Sequence, residues 1–166
     1  MGYGLASEGC DVTLKDIARL ADVFYIGGTK QGALFGEAVV IVNPALKKDF
    51  RYYIKQNGGM LAKGRLLGIQ FLTLFEDGLY FELSQHAVAQ AMRIRDAFVS
   101  KGYDFLVDSP SNQQFPILPD NVMEILSKDF KFSVWKRIDD GHTAVRFCTS
   151  WATRTEAVDA LLAAIV

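Results

Sequence analysis

Apolar residues recur at two spacings along the chain, and the switches between them mark the elements. Leu14, Ile17, Ala18 and Ala21 fall at helical intervals behind Thr13, with Asp16 three residues on, which predicts a capped helix. Asp22 leads into Val23-Phe24-Tyr25-Ile26, a β-branched and aromatic run that predicts a buried strand. Gly27-Gly28 stop it, and Thr29-Lys30-Gln31-Gly32 form a polar loop before a second apolar run from Ala38 to Val42. Asn43-Pro44 then open a helix carrying Leu46, Phe50, Tyr53 and Ile54, ended by Asn57-Gly58-Gly59. Another helical run covers Leu61 to Phe75, and a third carries Leu79, Leu83, Ala87, Ala91, Ile94 and Phe98 on one face, closed by Gly102.

Beyond residue 102 the pattern changes. Tyr103 to Val107 predicts a short strand, Ser109 to Pro119 is a proline-punctuated connection with room for another, and Asn121 with Glu124 starts a short helix. Phe132 and Val134, then Val145 and Phe147, alternate as two strands joined through the turn Asp139-Asp140-Gly141. Thr153 with Glu156 predicts a capping box for a last helix carrying Val158, Leu161, Leu162 and Ile165. The first ten residues show no cap and no periodicity, as if the chain opened within a loop. The expected class is α/β, with a linking helix at 78–102 joining an α/β layer at 1–77 to a small α+β layer at 103–166.

Composition narrows the function. Half of the 166 residues are hydrophobic and 22% are charged, the balance of a chain that folds rather than one that stays disordered. A net charge of −1 argues against a polyanion partner for the whole chain. The most apolar stretch, Leu66 to Leu83, is broken by Gln70, Glu76, Asp77 and Glu82, so no membrane span is expected. Two cysteines make no disulfide framework, which fits a reduced, cytoplasmic setting.

Several residues invite chemistry. Lys30 directly follows a predicted strand among Gly27, Gly28 and Gly32, where ligands of α/β sheets bind; it is a solvated loop lysine, a phosphate ligand or a Schiff-base nucleophile. Arg146, within Ala144-Val145-Arg146-Phe147-Cys148, either sits on a wet strand face or grips a carboxylate in a two-pronged fork. The basic stretch Lys47, Lys48, Arg51, Lys55, Lys63 and Arg65 is the solvated side of helices more readily than a nucleic-acid surface, with Lys63-Gly64-Arg65 its sharpest piece for a phosphate. His86 and His142 lack partners at metal-ligand spacing, and Cys148 has no triad partner.

Four segments together resemble the low-specificity threonine aldolase branch of the β-eliminating lyases. They are Asp11-Val-Thr-Leu-Lys-Asp-Ile-Ala18; Ala21-Asp-Val-Phe-Tyr-Ile-Gly-Gly-Thr-Lys-Gln-Gly-Ala-Leu-Phe-Gly-Glu-Ala38; Gly58-Gly-Met-Leu-Ala-Lys-Gly-Arg-Leu-Leu-Gly-Ile-Gln-Phe71; and Val145-Arg-Phe-Cys-Thr-Ser-Trp-Ala-Thr153. The resemblance implies the aspartate-aminotransferase fold, pyridoxal 5'-phosphate (PLP) as cofactor, and a homo-oligomer, dimer or tetramer. It implies that Lys30 is the Schiff-base lysine, with Thr29 beside it at the cofactor. Lys63 or Arg65 would reach the cofactor phosphate across a subunit interface, and Arg146 would take the substrate α-carboxylate. The implied reaction cleaves a β-hydroxy-α-amino acid to glycine and an aldehyde.

The resemblance extends only to the C-terminal half of the family. The phosphate loop, the ring-stacking aromatic and the aspartate for the pyridine nitrogen are expected before Met1, so the chain alone is expected to be inactive and prone to self-association through uncovered sheet surface. Two rivals stay open on the sequence: another PLP-dependent β-eliminating lyase or aminotransferase, and a non-catalytic folded remnant or interaction module.

Overall fold

The computed structural model describes residues 1–166, and they divide into two compact units: Met1 with Asp11–Tyr80, and Gly2–Cys10 with Phe81–Val166.

Helix α1 (Gly2–Leu5) belongs to the second unit, and the first opens on helix α2 (Leu14–Leu20). The capping box of α2 forms as expected: the Thr13 hydroxyl accepts from the Asp16 N–H, and the Asp16 carboxylate accepts from the Thr13 N–H at 2.9 Å. The Thr13 hydroxyl and N–H, followed by Arg19, hold the Asp16 carboxyl below its ordinary range. Strands β1 (Val23–Gly27) and β2 (Glu37–Ile41) pair antiparallel, with Val23 opposite Ile41 and Tyr25 opposite Val39. They form a two-stranded sheet, so each strand has one neighbour. The expectation of a buried strand at 23–26 is corrected: only Ile26 is buried, whereas Tyr25 is 64% and Val39 50% exposed. A two-stranded ribbon offers few neighbours to cover alternate side chains, so β-branched composition does not secure burial here.

Asn43 closes this sheet and begins the next segment. Its amide donates to the Asp22 carboxylate at 3.0 Å, and its side-chain oxygen accepts from the Ala45 N–H at 3.0 Å. The single helix expected from Pro44 to Ile54 is instead two pieces, a 3-10 turn (Pro44–Lys47) and α3 (Phe50–Gln56). Lys48 is extended and Asp49 left-handed (φ 57°), a conformation that aspartate tolerates better than most residues and that breaks the i to i+4 ladder. Helix α4 (Arg65–Glu76) starts four residues later than its apolar pattern predicts, because Leu61 to Gly64 form a turn with the Gly64 N–H on the Leu61 carbonyl.

The second unit carries a continuous hydrophobic core. Helix α1 replaces the expected opening loop, and the Tyr3 hydroxyl accepts from the Trp151 N–H at 3.4 Å. Burial raises that phenol's pKa, opposed by the same hydrogen bond. Helix α5 (Leu79–Ser100) buries Ala87, Ala91, Ile94 and Phe98 in the expected pattern, and Gly102 ends it in the left-handed conformation (φ 83°), placing the Tyr103 N–H on the Phe98 carbonyl. The strand expected at 103–107 is reduced to one bridge between Phe105 and Pro116.

Strands β3 (Gln113–Gln114), β4 (Ile117–Pro119), β5 (Ser133–Arg137) and β6 (His142–Cys148) make an antiparallel sheet with β6 at its centre. The turn at Asp139-Asp140-Gly141 joins β5 and β6 as expected, with the Gly141 N–H on the Asp139 carboxylate at 2.8 Å. Arg137 of β5 reaches Asp120 at the start of α6 (Asp120–Ser127), which holds the Asp120 carboxyl below its ordinary range. Against one face of the sheet pack α5, α6 and α7 (Thr155–Ala164), and the core comprises Ile94, Phe98, Leu118, Val122, Leu126, Val145, Phe147, Val158, Leu161 and Ile165. The capping box expected at Thr153 is absent. Its hydroxyl instead accepts from the Ser150 N–H at 2.8 Å, and α7 begins after an extended Arg154.

Candidate active-site elements

In the first unit the chain leaves β1 at Gly27 and turns at once into a 3-10 segment, Thr29–Gln31, that carries Lys30. The Gly28 carbonyl accepts from Gln31 N–H at 2.8 Å and Ala33 N–H at 3.0 Å, closing the turn. A side chain at Gly28 has no room: its Cβ would stand 2.8 Å from the Ala33 Cβ and 2.9 Å from the Phe71 Cζ. Lys30 therefore rides on backbone packed directly against α4. Gln70 of α4 clamps the chain just beyond this turn, its Oε1 accepting from the Leu34 N–H at 2.6 Å and its amide donating to the Phe35 and Leu66 carbonyls. Tyr80 is buried, stacks on Phe75 at 4.8 Å, and places its hydroxyl 3.5 Å from the Gly27 carbonyl. The Gln31 side chain is also buried, and its Oε1 has no partner.

Thr29 and Lys30 are thus neighbours on one braced turn at the carboxyl end of a strand, both at the surface. Lys63 and Arg65 lie on a different segment, immediately ahead of α4 and at its first residue, and both are exposed. A cation in the first helical turn meets the positive end of the helix dipole, an arrangement that a bound anion would relieve. An amine on a strand-end turn, an adjacent hydroxyl and two cations are a donor set suited in kind to a phosphorylated aldehyde.

In the second unit Arg146 lies mid-strand on β6, opposite Ser133. Its guanidinium stands 5.0 Å over the Trp135 ring, and its Nη1 donates to Gln113 Oε1 at 3.3 Å. Nε is buried without a hydrogen-bond partner, and none of the ion pairs in the chain involves Arg146. Arg146 is half-buried, held by an aromatic face and an amide, and unpaired with any carboxylate of its own chain. Trp135 owes its position to a bulge, since the β5–β6 register shifts between Val134 and Lys136. Its ring also meets Phe115 edge-on at 5.2 Å.

The remaining candidates have local roles. His86 Nε2 lies 2.7 Å from the Thr153 carbonyl, and His142 Nδ1 is 2.9 Å from the Asp139 carboxylate, which the Gly141 N–H and then His142 hold below its ordinary range. No group of three or more His, Cys, Asp or Glu side chains is placed to hold a metal ion. Both cysteines are free, and Cys148 Sγ lies 3.9 Å from Gln113 Oε1. No helix is long and apolar enough to cross a membrane. Gln70, Gln113 and Trp135 were not singled out by the sequence. Trp135 carried one usable signal, an aromatic between Val134 and Lys136 on the strand paired with that of Arg146.

These features define an α/β unit that presents a lysine beyond a strand, and an α+β unit that carries a half-buried arginine on its central strand. No protein-family profile matches the chain. It is 31% identical over 146 residues to a low specificity L-threonine aldolase of Pseudomonas sp. (strain NCIMB 10558), covering 87% of this chain and 41% of that protein. It is 29% identical over 139 residues to the enzyme of the same name from Pseudomonas aeruginosa, covering 82% of this chain and 39% of the relative. A solved structure, the threonine aldolase of Leishmania major, matches 99% of this chain with a TM-score of 0.89 at 43% identity, and the match covers 49% of that chain. The chain is related to the low-specificity threonine aldolases in sequence and fold, and spans from about two fifths to half the length of the relatives it matches.

Proposed function

We propose that the chain contributes the lysine turn and the carboxylate-binding arginine to a PLP-dependent lyase of the threonine aldolase type, which cleaves a β-hydroxy-α-amino acid to glycine and an aldehyde. The relatives' names support the reaction class. The observation that carries the proposal here is Arg146, a supported guanidinium with a buried, unpartnered Nε and no carboxylate of its own chain to neutralise it. A buried guanidinium nitrogen without a partner calls for an acceptor, and a carboxylate is the acceptor that also meets its charge.

Lys30 would hold the cofactor through its amine, and the Thr29 hydroxyl with Lys63 or Arg65 would serve its phosphate. When bound, PLP supplies an electron sink for the carbanion left by cleavage of the Cα–Cβ bond. Arg146 takes the substrate carboxylate in a two-pronged fork and so fixes the orientation of Cα. The Gln70 clamp and the close packing at Gly28 keep the Lys30 turn from yielding when the amine is loaded.

The test is a PLP titration followed by absorbance, then borohydride reduction and peptide mapping, with Lys30→Ala as control. The expected result is a reduced adduct on Lys30, lost in the variant, followed by aldol cleavage when the rest of the fold is supplied. Labelling scattered over surface lysines, or none, would overturn the assignment and favour a non-catalytic module.

A further inference from the structure

The Arg146 guanidinium has three nitrogens, and the structure accounts for them unequally. Nη1 is taken by Gln113 Oε1 at 3.3 Å. Nε is the buried nitrogen with no partner. A two-pronged carboxylate needs two adjacent N–H groups, and the Nε–Nη2 edge is the one on which neither nitrogen is given to Gln113. The orphaned nitrogen lies on that edge. The guanidinium plane is backed by Trp135, which the β5 bulge releases from strand pairing and Phe115 supports.

Gln113 is itself well held. Its backbone pairs opposite Cys148 on the strand that carries Arg146, two residues along. Its N–H donates to the Ser111 hydroxyl at 3.3 Å, and the buried side chain of neighbouring Gln114 donates to the Ser109 and Ser111 carbonyls at 2.9 Å each. The amide that meets Arg146 thus projects from a segment fixed on both sides, and it is neutral. A carboxylate at this position would neutralise the guanidinium and occupy it, whereas an amide orients it and leaves its charge for a ligand.

We infer that Gln113 is a positioning residue for Arg146: by engaging Nη1 over the Trp135 ring, it turns the Nε–Nη2 edge toward an incoming α-carboxylate. This rests on the carboxylate role proposed above for Arg146. The consequence is that carboxylate recognition is pre-built within the second unit and depends on an uncharged acceptor at 113.

The experiment uses the whole chain carrying Trp151→Phe, which leaves Trp135 as the sole indole of the two in the sequence. Trp135 emission is followed during titration with glycine and with acetate, with 2-aminoethanol as the probe that lacks a carboxylate. Expected are a saturable response to both carboxylates and none to 2-aminoethanol, and loss of the response in Arg146→Met. Gln113→Met, which keeps the side chain's bulk but removes the acceptor, should weaken the midpoint about tenfold. Gln113→Glu should abolish the response, with the thermal unfolding midpoint of every variant close to the parent's. If Arg146→Met loses the response while Gln113→Met and Gln113→Glu titrate as the parent does, the positioning role is overturned and the carboxylate role of Arg146 stands. If the parent gives no saturable response, or Arg146→Met responds like the parent, the carboxylate role itself fails and the positioning role falls with it.

Discussion

The two units differ sharply in how their apolar residues are used. The second gathers buried residues from α5, α6, α7 and the sheet into one core, with Phe98, Leu118 and Val145 fully buried. The first places much of its apolar surface on a two-stranded ribbon and short helices, where Tyr25, Val39, Tyr52 and Leu72 are exposed and the buried hydrophobics are Ile26, Leu74 and Tyr80. Local hydrogen bonding is nevertheless good in the first unit: a capping box, the Asn43 bridge and the Gln70 clamp are all formed. Local geometry is therefore specified independently of burial. The core, not the caps, supplies most of the free energy of folding.

Hydrogen exchange on the intact chain should show the largest contrast between the units, with amides of β6 and the middle of α5 exchanging about a hundredfold or more slowly than those of β1 and β2. Equal protection would mean that the first unit draws on stabilisation not visible in its burial. Leu118→Ala should cost the second unit about 3–5 kcal/mol in denaturant unfolding, because the side chain is fully buried, whereas Val39→Ala should stay within about 0.5 kcal/mol. Gly28→Ala forces a Cβ into Ala33 and Phe71; it should cost about 1–3 kcal/mol and reduce any adduct at Lys30 without moving the unfolding of the second unit. Thr13→Ala, which removes the α2 cap, should cost about 1 kcal/mol, read from the first unit's transition.

The smallest effect expected is that of pH. Asp16, Asp120 and Asp139 are held below the ordinary carboxylate range in the folded chain by hydrogen bonds from Thr13, Arg137 and Gly141 respectively. Because the unfolded chain takes up these protons first, their stabilisation is full above the ordinary carboxylate pKa, near 4, and is lost as pH falls through the lowered folded values. All three sit at the surface, so the acid limb should be shallow and weakened further by salt. Asp120→Asn should flatten it for the second unit only, and a limb unchanged by that substitution would remove Arg137–Asp120 from the account.

Elements whose partners are near in sequence could be read from the sequence. The Thr13 cap, the α5 face closed by Gly102 and the β5–β6 turn all depend on residues within a few positions of one another. The break at Asp49 was hidden because a periodic apolar pattern does not register one left-handed residue. Thr153 had the right spacing for a cap but found a nearer donor at Ser150. The candidate site divides the same way. Lys30 and Arg146 stand out as charges in apolar or glycine-rich surroundings, and the family resemblance gives each a role. Gln113 and Trp135 do not stand out, because their meaning lies in strand register and a bulge that sets 113 and 135 beside 146.

That bulge bears on how the molecule behaves in a crowded solution. β5 is the outer strand of its sheet and exposed along its whole length, with Val134 and Trp135 among its residues, which is the profile of a template for strand addition by other chains. A register shift in its middle, succeeded directly by Lys136 and Arg137, interrupts the regular row of donors and acceptors and sets charges beside it. One irregularity thus both turns an indole toward a guanidinium and guards an open edge against aggregation. The ribbon of β1 and β2 has no such break in its register.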